Sequence, residues 1–135
     1  MLPQSLQVEI VSPEKLLFSG TATFVSVPGK DGCLGILPGH APLLSELQAG
    51  EIVIRQGEES RRFFCREGFV EVLPHQVSVL AQVAEKPEEI DLPRAQKAKE
   101  RAWNRLQSKS TELDYARACA SLRRALIRIQ IASSR

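Results

Sequence analysis

The sequence is poor in the residues that carry most enzymatic chemistry. Only two histidines, His40 and His75, occur among its 135 residues. It contains no motif of a serine hydrolase, a P-loop nucleotide-binding protein or a zinc peptidase. Nucleophilic and metal-assisted hydrolysis therefore lack candidate residues, and His40 is interpreted as a loop or interface residue. We expect a protein without catalytic activity of its own.

Cysteines and long apolar runs are also scarce. Cys33, Cys65 and Cys119 are odd in number and far apart, so the sequence predicts neither a disulfide framework nor a zinc site. No apolar run reaches the roughly 18 residues that span a bilayer. The first residues lack the basic and apolar segments of a secretory signal. These absences together predict a cytosolic protein.

The charge is unevenly distributed along the chain. Residues 1–90 hold 7 Lys and Arg against 12 Asp and Glu, whereas residues 91–135 hold 11 against 4. The first part therefore carries a net charge of −5 and the second a net charge of +7. The break falls at residues 85–90, a charged segment that contains Pro87 and is typical of a linker.

The basic second part predicts an anionic partner. Nucleic acid, a phosphate-bearing small ligand and an acidic protein surface are the three classes that such a charge attracts. Aromatic residues make up only 5% of the chain, and only Trp103 and Tyr115 lie in the basic part. Because proteins that bind single-stranded nucleic acid stack bases on aromatic side chains, this composition disfavours the first class.

Before the linker, apolar residues alternate with polar ones with a period of two. Leu6, Val8 and Ile10 show this pattern first, and it is typical of half-buried strands. Turn signals recur at short intervals, which favours antiparallel strands over a parallel α/β sheet. The sequence predicts an antiparallel β-sandwich, or flattened barrel, over residues 1–84, followed by a linker over residues 85–90.

After the linker, the apolar period becomes helical. One predicted helix presents Leu92, Ala95, Ala98, Ala102 and Leu106 on one face, and a second presents Tyr115, Cys119, Leu122, Leu126 and Ile129. Asp91 is the expected N-cap of the first helix, and Thr111 with Asp114 resembles a capping box for the second. With a turn at residues 108–111, residues 91–135 form an α-helical hairpin, and the fold class is α+β.

Arginines recur along both predicted helices at the same spacing. They fall at i, i+7 and i+11, which puts each trio on one stripe: Arg94, Arg101 and Arg105 on the first helix, and Arg117, Arg124 and Arg128 on the second. Such a stripe is either the solvated face of an amphipathic helix or a surface that binds anionic groups.

Residues 32–44 combine three glycines, two prolines and one histidine with apolar side chains. This mixture predicts a shaped loop through which neither a regular helix nor a regular strand runs. The apolar side chains either close one end of the sandwich or meet a partner, since an exposed apolar patch usually marks an interface.

This loop resembles the signature loop of the epsilon subunit of bacterial and chloroplast F-type ATP synthases, the counterpart of the mitochondrial delta subunit. Residues 12–20, 68–72, 77–81 and 85–95 resemble the same family in the same order, so the resemblance covers residues 6–131. It implies a non-catalytic rotor subunit of the proton-translocating enzyme. Its sandwich would bind the gamma subunit and the c-ring, and its hairpin would inhibit ATP hydrolysis.

The resemblance also implies where partners bind. The loop would face the c-ring and gamma through Cys33, Leu34, Ile36, Leu37 and His40. The hairpin would either fold back on the sandwich or extend along gamma toward acidic segments of the beta and alpha subunits. The subunit would be peripheral, on the cytoplasmic face of a bacterial plasma membrane, with the plastid thylakoid as the alternative.

Residues 90–95 match the Ile/Leu-Asp-x-x-Arg-Ala motif through which some bacterial relatives bind ATP. The resemblance implies no required cofactor and ATP as a regulatory ligand. The ligand would be held by the motif residues Ile90, Asp91, Arg94 and Ala95 together with Glu85, Arg101, Arg124 and Arg128, which correspond in spacing to positions that those relatives use. Guanidinium groups suit phosphate oxygens, and the two carboxylates would accept from adenine or ribose. The alternatives are a motif that only caps the helix and a basic accessory module that binds nucleic acid.

Overall fold

The computed structural model describes residues 3–108 and 111–133. The chain divides into two compact units, Met1–Lys86 and Pro87–Arg135. Their elements are β1 (Leu6–Val11), β2 (Leu16–Ala22), β3 (Phe24–Gly29), β4 (Gly32–Ile36), β5 (Leu43–Glu46), β6 (Gly50–Gln56), β7 (Glu59–Leu73), β8 (Gln76–Glu85), a 3-10 turn (Pro87–Glu89), α1 (Leu92–Gln107) and α2 (Glu112–Ser133). The predicted α+β class, a β-sandwich followed by two helices, is confirmed.

The strands of the first unit form one folded sheet. Their order is β2-β1-β8-β7-β6-β3-β4, and β5 pairs with β7 beside this path. Neighbouring strands pair antiparallel, as predicted, except that β1 and β8 run parallel with Gln7 opposite Gln76 and Val11 opposite Leu80. Since β1 and β8 are far apart in sequence, no short turn dictates their relative direction.

The period-two pattern places one set of side chains inside the sandwich. Leu6, Val8 and Ile10 of β1 are fully buried, as are the alternating residues Val77 and Val79 of β8. None of the described polar or charged residues is buried. The core of the sandwich is therefore apolar, and its stability rests on hydrophobic burial.

Residues 32–44 are more regular than predicted. β4 pairs with β3 and β5 pairs with β7, so the expectation that no strand runs through this segment was wrong. β4 is a short edge strand of five residues, although glycine inside a strand weakens it. Ile36 is fully buried in the core. The expectation that the Ile36 side chain faces a partner was therefore also wrong.

The predicted helix starts are confirmed. Asp91 is the N-cap of α1, with Pro93 in the first turn. The Thr111 hydroxyl accepts a hydrogen bond from the backbone N–H of Asp114 over 3.3 Å. The predicted turn at residues 108–111 includes residues 109 and 110, which lie outside the described residues. Neither described helix is long and apolar enough to span a bilayer.

The predicted buried face is right for α1 and wrong for α2. In α1, Ala95 and Ala102 are buried. In α2 the buried positions include Ala118 and Ala125, whereas the expected core residues Tyr115 and Leu126 are exposed. The prediction assigned large apolar side chains to the buried face and therefore missed these alanines. Small side chains allow two helices to pack closely.

Candidate functional site

Four alanines mark the line along which α1 and α2 pack. Ala95 and Ala102 are seven residues apart in α1, and Ala118 and Ala125 are seven apart in α2. Each pair therefore lies on one face of its helix, and all four side chains are buried. We call this line the alanine seam.

Arginines flank the alanine seam along one side. Four residues separate α1 from α2, so the helices run antiparallel. When two antiparallel helices pack face to face, the residue immediately before each seam alanine points to the same side of the helix pair in both helices. The third residue after a seam position also falls there. Helical geometry thus assembles six arginines into an arginine edge: Arg94, Arg101, Arg105, Arg117, Arg124 and Arg128.

A surface cavity shows this convergence near the turn of the hairpin. It has a volume of about 320 Å³ and is lined by Arg105 and Ser108 from one side of the turn and by Asp114 and Arg117 from the other. Arginines of both helices therefore face a common space. In an antiparallel pair, residues at equal distances from the turn lie side by side. Arg94 therefore lies beside Arg124 and Arg128, at the end of the hairpin away from the turn.

The motif residues divide into two groups. Asp91 and Arg94 are exposed, and the Asp91 Oδ1 accepts a hydrogen bond from the backbone N–H of Arg94 over 3.1 Å. Ile90 and Ala95 are buried and contribute packing. Since Asp91 is four residues before Ala95, its side chain lies on the side of the arginine edge.

The remaining predicted ATP residues occupy different settings. Arg101 is exposed, whereas Arg124 and Arg128 are half-buried. The Arg124 Nη2 donates a hydrogen bond to the Ser121 hydroxyl over 3.2 Å, which holds that guanidinium against its own helix. Glu85 is half-buried at the end of β8 and belongs to the first unit, whereas the other predicted residues belong to the second.

The opposite edge of the hairpin is apolar. Trp103, Cys119 and Leu126 each follow a seam alanine directly, so they lie on the side away from the arginine edge, and all three are exposed. A surface cavity of about 470 Å³ there is lined by Cys119, Leu122, Arg123, Leu126, Ile127 and Gln130. In the sequence, the alanines repeated every seven residues could have shown which face of each helix forms the alanine seam and which forms this apolar edge.

Of the predicted interface residues of the first unit, Cys33 and Leu34 lie in β4, and Leu37 and His40 lie in the loop at residues 37–42. Cys33 is exposed, with its Sγ 3.0 Å from the Ser26 hydroxyl, and Leu37 is exposed as well. Leu34 and His40 are half-buried. The Gly39 N–H donates a hydrogen bond to the Pro74 carbonyl over 2.7 Å, which ties the loop to the turn between β7 and β8.

The described residues contain no cluster of three metal-ligating side chains. With six arginines on one edge, the hairpin is suited to binding an anion. An apolar sandwich followed by such a hairpin defines a binding protein.

Comparison with known proteins agrees with this class. The family model for the beta-sandwich domain of the ATP synthase delta/epsilon chain matches residues 5–87, and that for the long alpha-helix domain matches residues 88–133. The chain is 45% identical over 131 residues to an ATP synthase epsilon chain of Moorella thermoacetica, covering 96% of this chain and 98% of the relative. It is 42% identical over 130 residues to one of Nitratidesulfovibrio vulgaris, covering 96% and 97%.

Solved structures show the same fold at lower identity. A chain of the mitochondrial ATP synthase of Euglena gracilis, in a structure of OSCP, F1 and the c-ring, matches with a TM-score of 0.80 at 20% identity, covering 100% of this chain and 84% of that chain. One from the central stalk and c-ring of the Tetrahymena thermophila enzyme matches with a TM-score of 0.65 at 16% identity, covering 98% and 99%.

The chain is therefore a subunit of an ATP synthase. It belongs to the delta/epsilon family of ATP synthase subunits. The comparisons give no support to the alternative that the basic helices bind nucleic acid.

Proposed function

We propose that this rotor subunit regulates ATP hydrolysis by ATP synthase through its hairpin, with ATP as the controlling ligand. The observation that carries the proposal is the arginine edge, where both helices contribute guanidinium groups beside the motif at residues 90–95. A polyanion bound along this edge contacts α1 and α2 together. Binding therefore stabilises the closed hairpin.

The residues on the arginine edge suit a nucleoside triphosphate. Arg94, Arg124 and Arg128 lie at one end of the hairpin and Arg101 lies midway, so forked charge-assisted hydrogen bonds can reach successive phosphates. Asp91 caps α1 through Oδ1, and its second oxygen can accept from the ribose or the adenine. Glu85 is the second acceptor in this proposal.

Ligand binding sets the balance between two positions of the hairpin. A ligand at about 100 times its dissociation constant stabilises the state that binds it by roughly 2.7 kcal/mol. ATP therefore favours the contracted hairpin, and loss of ATP releases it. The released, basic unit is attracted to acidic segments of the alpha and beta subunits, where it blocks rotation in the direction of hydrolysis.

The sandwich holds the subunit in the rotor in this proposal. Gamma and the c-ring contact the loop region through Cys33, Leu34, Leu37 and His40, of which Cys33 and Leu37 are the most accessible. The subunit is peripheral, on the cytoplasmic face of a bacterial plasma membrane, and reaches that membrane through the c-ring.

Isothermal titration of ATP into the purified chain tests the ligand. Arg94→Ala should weaken ATP binding about 10-fold to 100-fold, because a hydrogen bond to a charged group contributes about 1.5–3 kcal/mol. Lys97→Ala is the matched control: it removes the same charge two residues after Ala95, on the outer face of α1, and should bind ATP like the unchanged chain. Equal weakening by both variants would reduce the site to a diffuse charge effect, and no binding at millimolar ATP would refute it.

A salt series tests the released state. Inhibition of ATP hydrolysis by the extended hairpin should weaken as ionic strength rises, since exposed charges are screened over about 8–10 Å. Inhibition that stays constant over a wide range of salt concentration would contradict electrostatic attraction between the extended hairpin and acidic segments.

A further inference from the structure

Among the described residues, the cavity at the turn of the hairpin is lined by polar side chains alone. It has a volume of about 320 Å³, and its lining residues are Arg105 of α1, Ser108 at the C-cap of α1, and Asp114 and Arg117 of α2. All four are exposed, so a dissolved ligand can enter. Such a lining suits a small polar ligand rather than an apolar one.

Positive charge predominates in this cavity. Among the side chains that the structure describes, no carboxylate lies within ion-pair distance of the Arg105 or the Arg117 guanidinium. Asp114 supplies one negative charge against two positive ones, and Arg101 lies about one helical turn before Arg105 on the same edge. Like charges that face one space repel each other, so an anion between the two guanidinium groups is favourable.

This cavity lies apart from the arginines proposed to hold the phosphates of ATP at the other end of the hairpin. Arg105 is eleven residues after Arg94 in α1, and Arg117 is eleven residues before Arg128 in α2. Eleven residues of an α-helix extend about 16 Å, which is longer than a triphosphate chain. A triphosphate bound beside Arg94 and Arg128 therefore ends before the turn and leaves the cavity open to a second anion.

The lining offers hydrogen-bond acceptors as well as donors. The guanidinium groups of Arg105 and Arg117 can each donate two parallel hydrogen bonds to an oxyanion. The Ser108 hydroxyl donates to the Arg105 carbonyl over 2.9 Å, so its oxygen is left as an acceptor, and the Asp114 carboxylate accepts only. At neutral pH phosphate keeps a proton that it can donate to such an acceptor. Sulfate has no proton, and the Asp114 carboxylate would repel it.

We propose that the turn of the hairpin binds inorganic phosphate through Arg105 and Arg117, and that Asp114 makes the site selective for phosphate over sulfate. A phosphate ion in this cavity contacts both helices and therefore stabilises their pairing beside the turn. Phosphate is a product of the ATP hydrolysis that the hairpin regulates under the proposed function. The inference rests on the proposed function for this regulatory role, whereas the binding itself requires neither ATP nor the motif at residues 90–95.

Calorimetric titration of sodium phosphate and of sodium sulfate into the full-length chain, at neutral pH and constant ionic strength, tests the site. The unchanged chain should bind phosphate saturably and roughly 5-fold or more tighter than sulfate. Arg105→Ala and Arg117→Ala should each weaken phosphate binding about 10-fold, because each removes hydrogen bonds to a charged group. Arg123→Ala is the matched control: it removes the same charge from an exposed residue of α2 that lines the cavity on the apolar edge, and should leave phosphate affinity within about 2-fold, since salt screens distant charges.

Asp114→Asn tests the selectivity separately from the arginines. An amide can donate to an oxyanion that has no proton, so this variant should bind sulfate at least as tightly as phosphate. The cap of α2 is kept, because the Thr111 hydroxyl accepts from the backbone N–H at position 114. A purely structural role of Asp114 would not change the preference between two anions. Unchanged selectivity in Asp114→Asn would overturn the role assigned to this residue.

The outcomes separate this inference from the proposed function. Phosphate affinity should be the same with and without saturating ATP, because independent sites have no coupling free energy. If the chain fails to bind ATP but binds phosphate with the pattern above, only the ligand in the proposed function is wrong. If ATP displaces phosphate, the cavity belongs to the ATP site and the separate site is overturned. Equal weakening by Arg123→Ala, equal affinities for phosphate and sulfate in the unchanged chain, or no saturable phosphate binding would also overturn it.

Discussion

The carboxylate of Asp91 holds the backbone of Arg94 in place. Its Oδ1 lies 3.1 Å from the Arg94 nitrogen and accepts that N–H, so the bond that begins α1 also fixes the point from which the Arg94 side chain leaves the helix. This hydrogen bond thereby couples the position of Arg94 to that of Asp91. Any change at Asp91 acts both on the helix and on the proposed ligand site, and the two effects need separate variants.

Asp91→Ser is expected to separate helix capping from ATP binding. Serine is a good N-cap, so α1 should keep its stability, while the carboxylate proposed to contact ATP is lost. We expect unchanged helical circular dichroism and at least 5-fold weaker ATP binding by titration. Asp91→Ala should lose both, with about 1 kcal/mol of stability lost from the cap. Full ATP affinity in Asp91→Ser would mean that Asp91 is only a cap.

The alanine seam should not accept larger side chains. Ala118→Leu puts three more carbon atoms into the line where α1 and α2 meet, and overpacking a close contact costs about 1–3 kcal/mol. Ala120→Leu is the matched control, since Ala120 is exposed on α2 and leucine is a good helix former. Thermal melting followed at 222 nm should show destabilisation only for Ala118→Leu. Equal melting curves would show that the helices do not meet along these alanines.

Gly68 should be the least replaceable glycine of the sandwich. Its φ is +132°, and a Cβ added there would lie against the Leu80 carbonyl and 2.8 Å from the Ala81 Cα. Gly32 has a similar φ of +139°, but a Cβ there meets only open space. Backbone strain costs about 1–3 kcal/mol at either site, and Gly68→Ala adds a steric clash. Denaturant unfolding should therefore rank Gly68→Ala well below Gly32→Ala, and the reverse order would contradict the account.

The three cysteines should differ in reactivity. Cys33 and Cys119 are exposed and Cys65 is buried, and burial raises the pKa of the Cys65 thiol to about 12 from an ordinary value of 9.0. In the native protein at neutral pH a thiol reagent should modify two cysteines rapidly, and the third only after unfolding. Rapid modification of all three in the native state would contradict the burial of Cys65.

The same shift has a consequence for stability at high pH. The neutral thiol is favoured in the folded state, so its contribution is fully present below about pH 9. Above that pH the unfolded chain ionises first, and the free energy of unfolding falls as the pH rises toward 12. Cys65→Ser or Cys65→Ala should remove this part of the alkaline loss.

Local signals predicted much of the fold. The period-two residues of β1 and the caps at Asp91 and Thr111 are determined by neighbours in sequence, and they were predicted correctly. The parallel pairing of β1 with β8, the strands within residues 32–44 and the packing face of α2 depend on distant partners. In the candidate site, helix spacing predicted the two arginine stripes. That they lie together on one edge could not be predicted, because it depends on which faces of the helices pack along the alanine seam.

The parallel pairing of β1 with β8 has a consequence for folding during synthesis. The hairpin of β1 and β2 can form as soon as residues 6–22 leave the ribosome, but the other edge of β1 has no partner until residues 76–80 follow. An unpaired strand edge is a template for wrong pairing with other chains, and long-range contacts form slowly. One edge of β1 therefore stays unpaired until almost the whole sandwich has been synthesised.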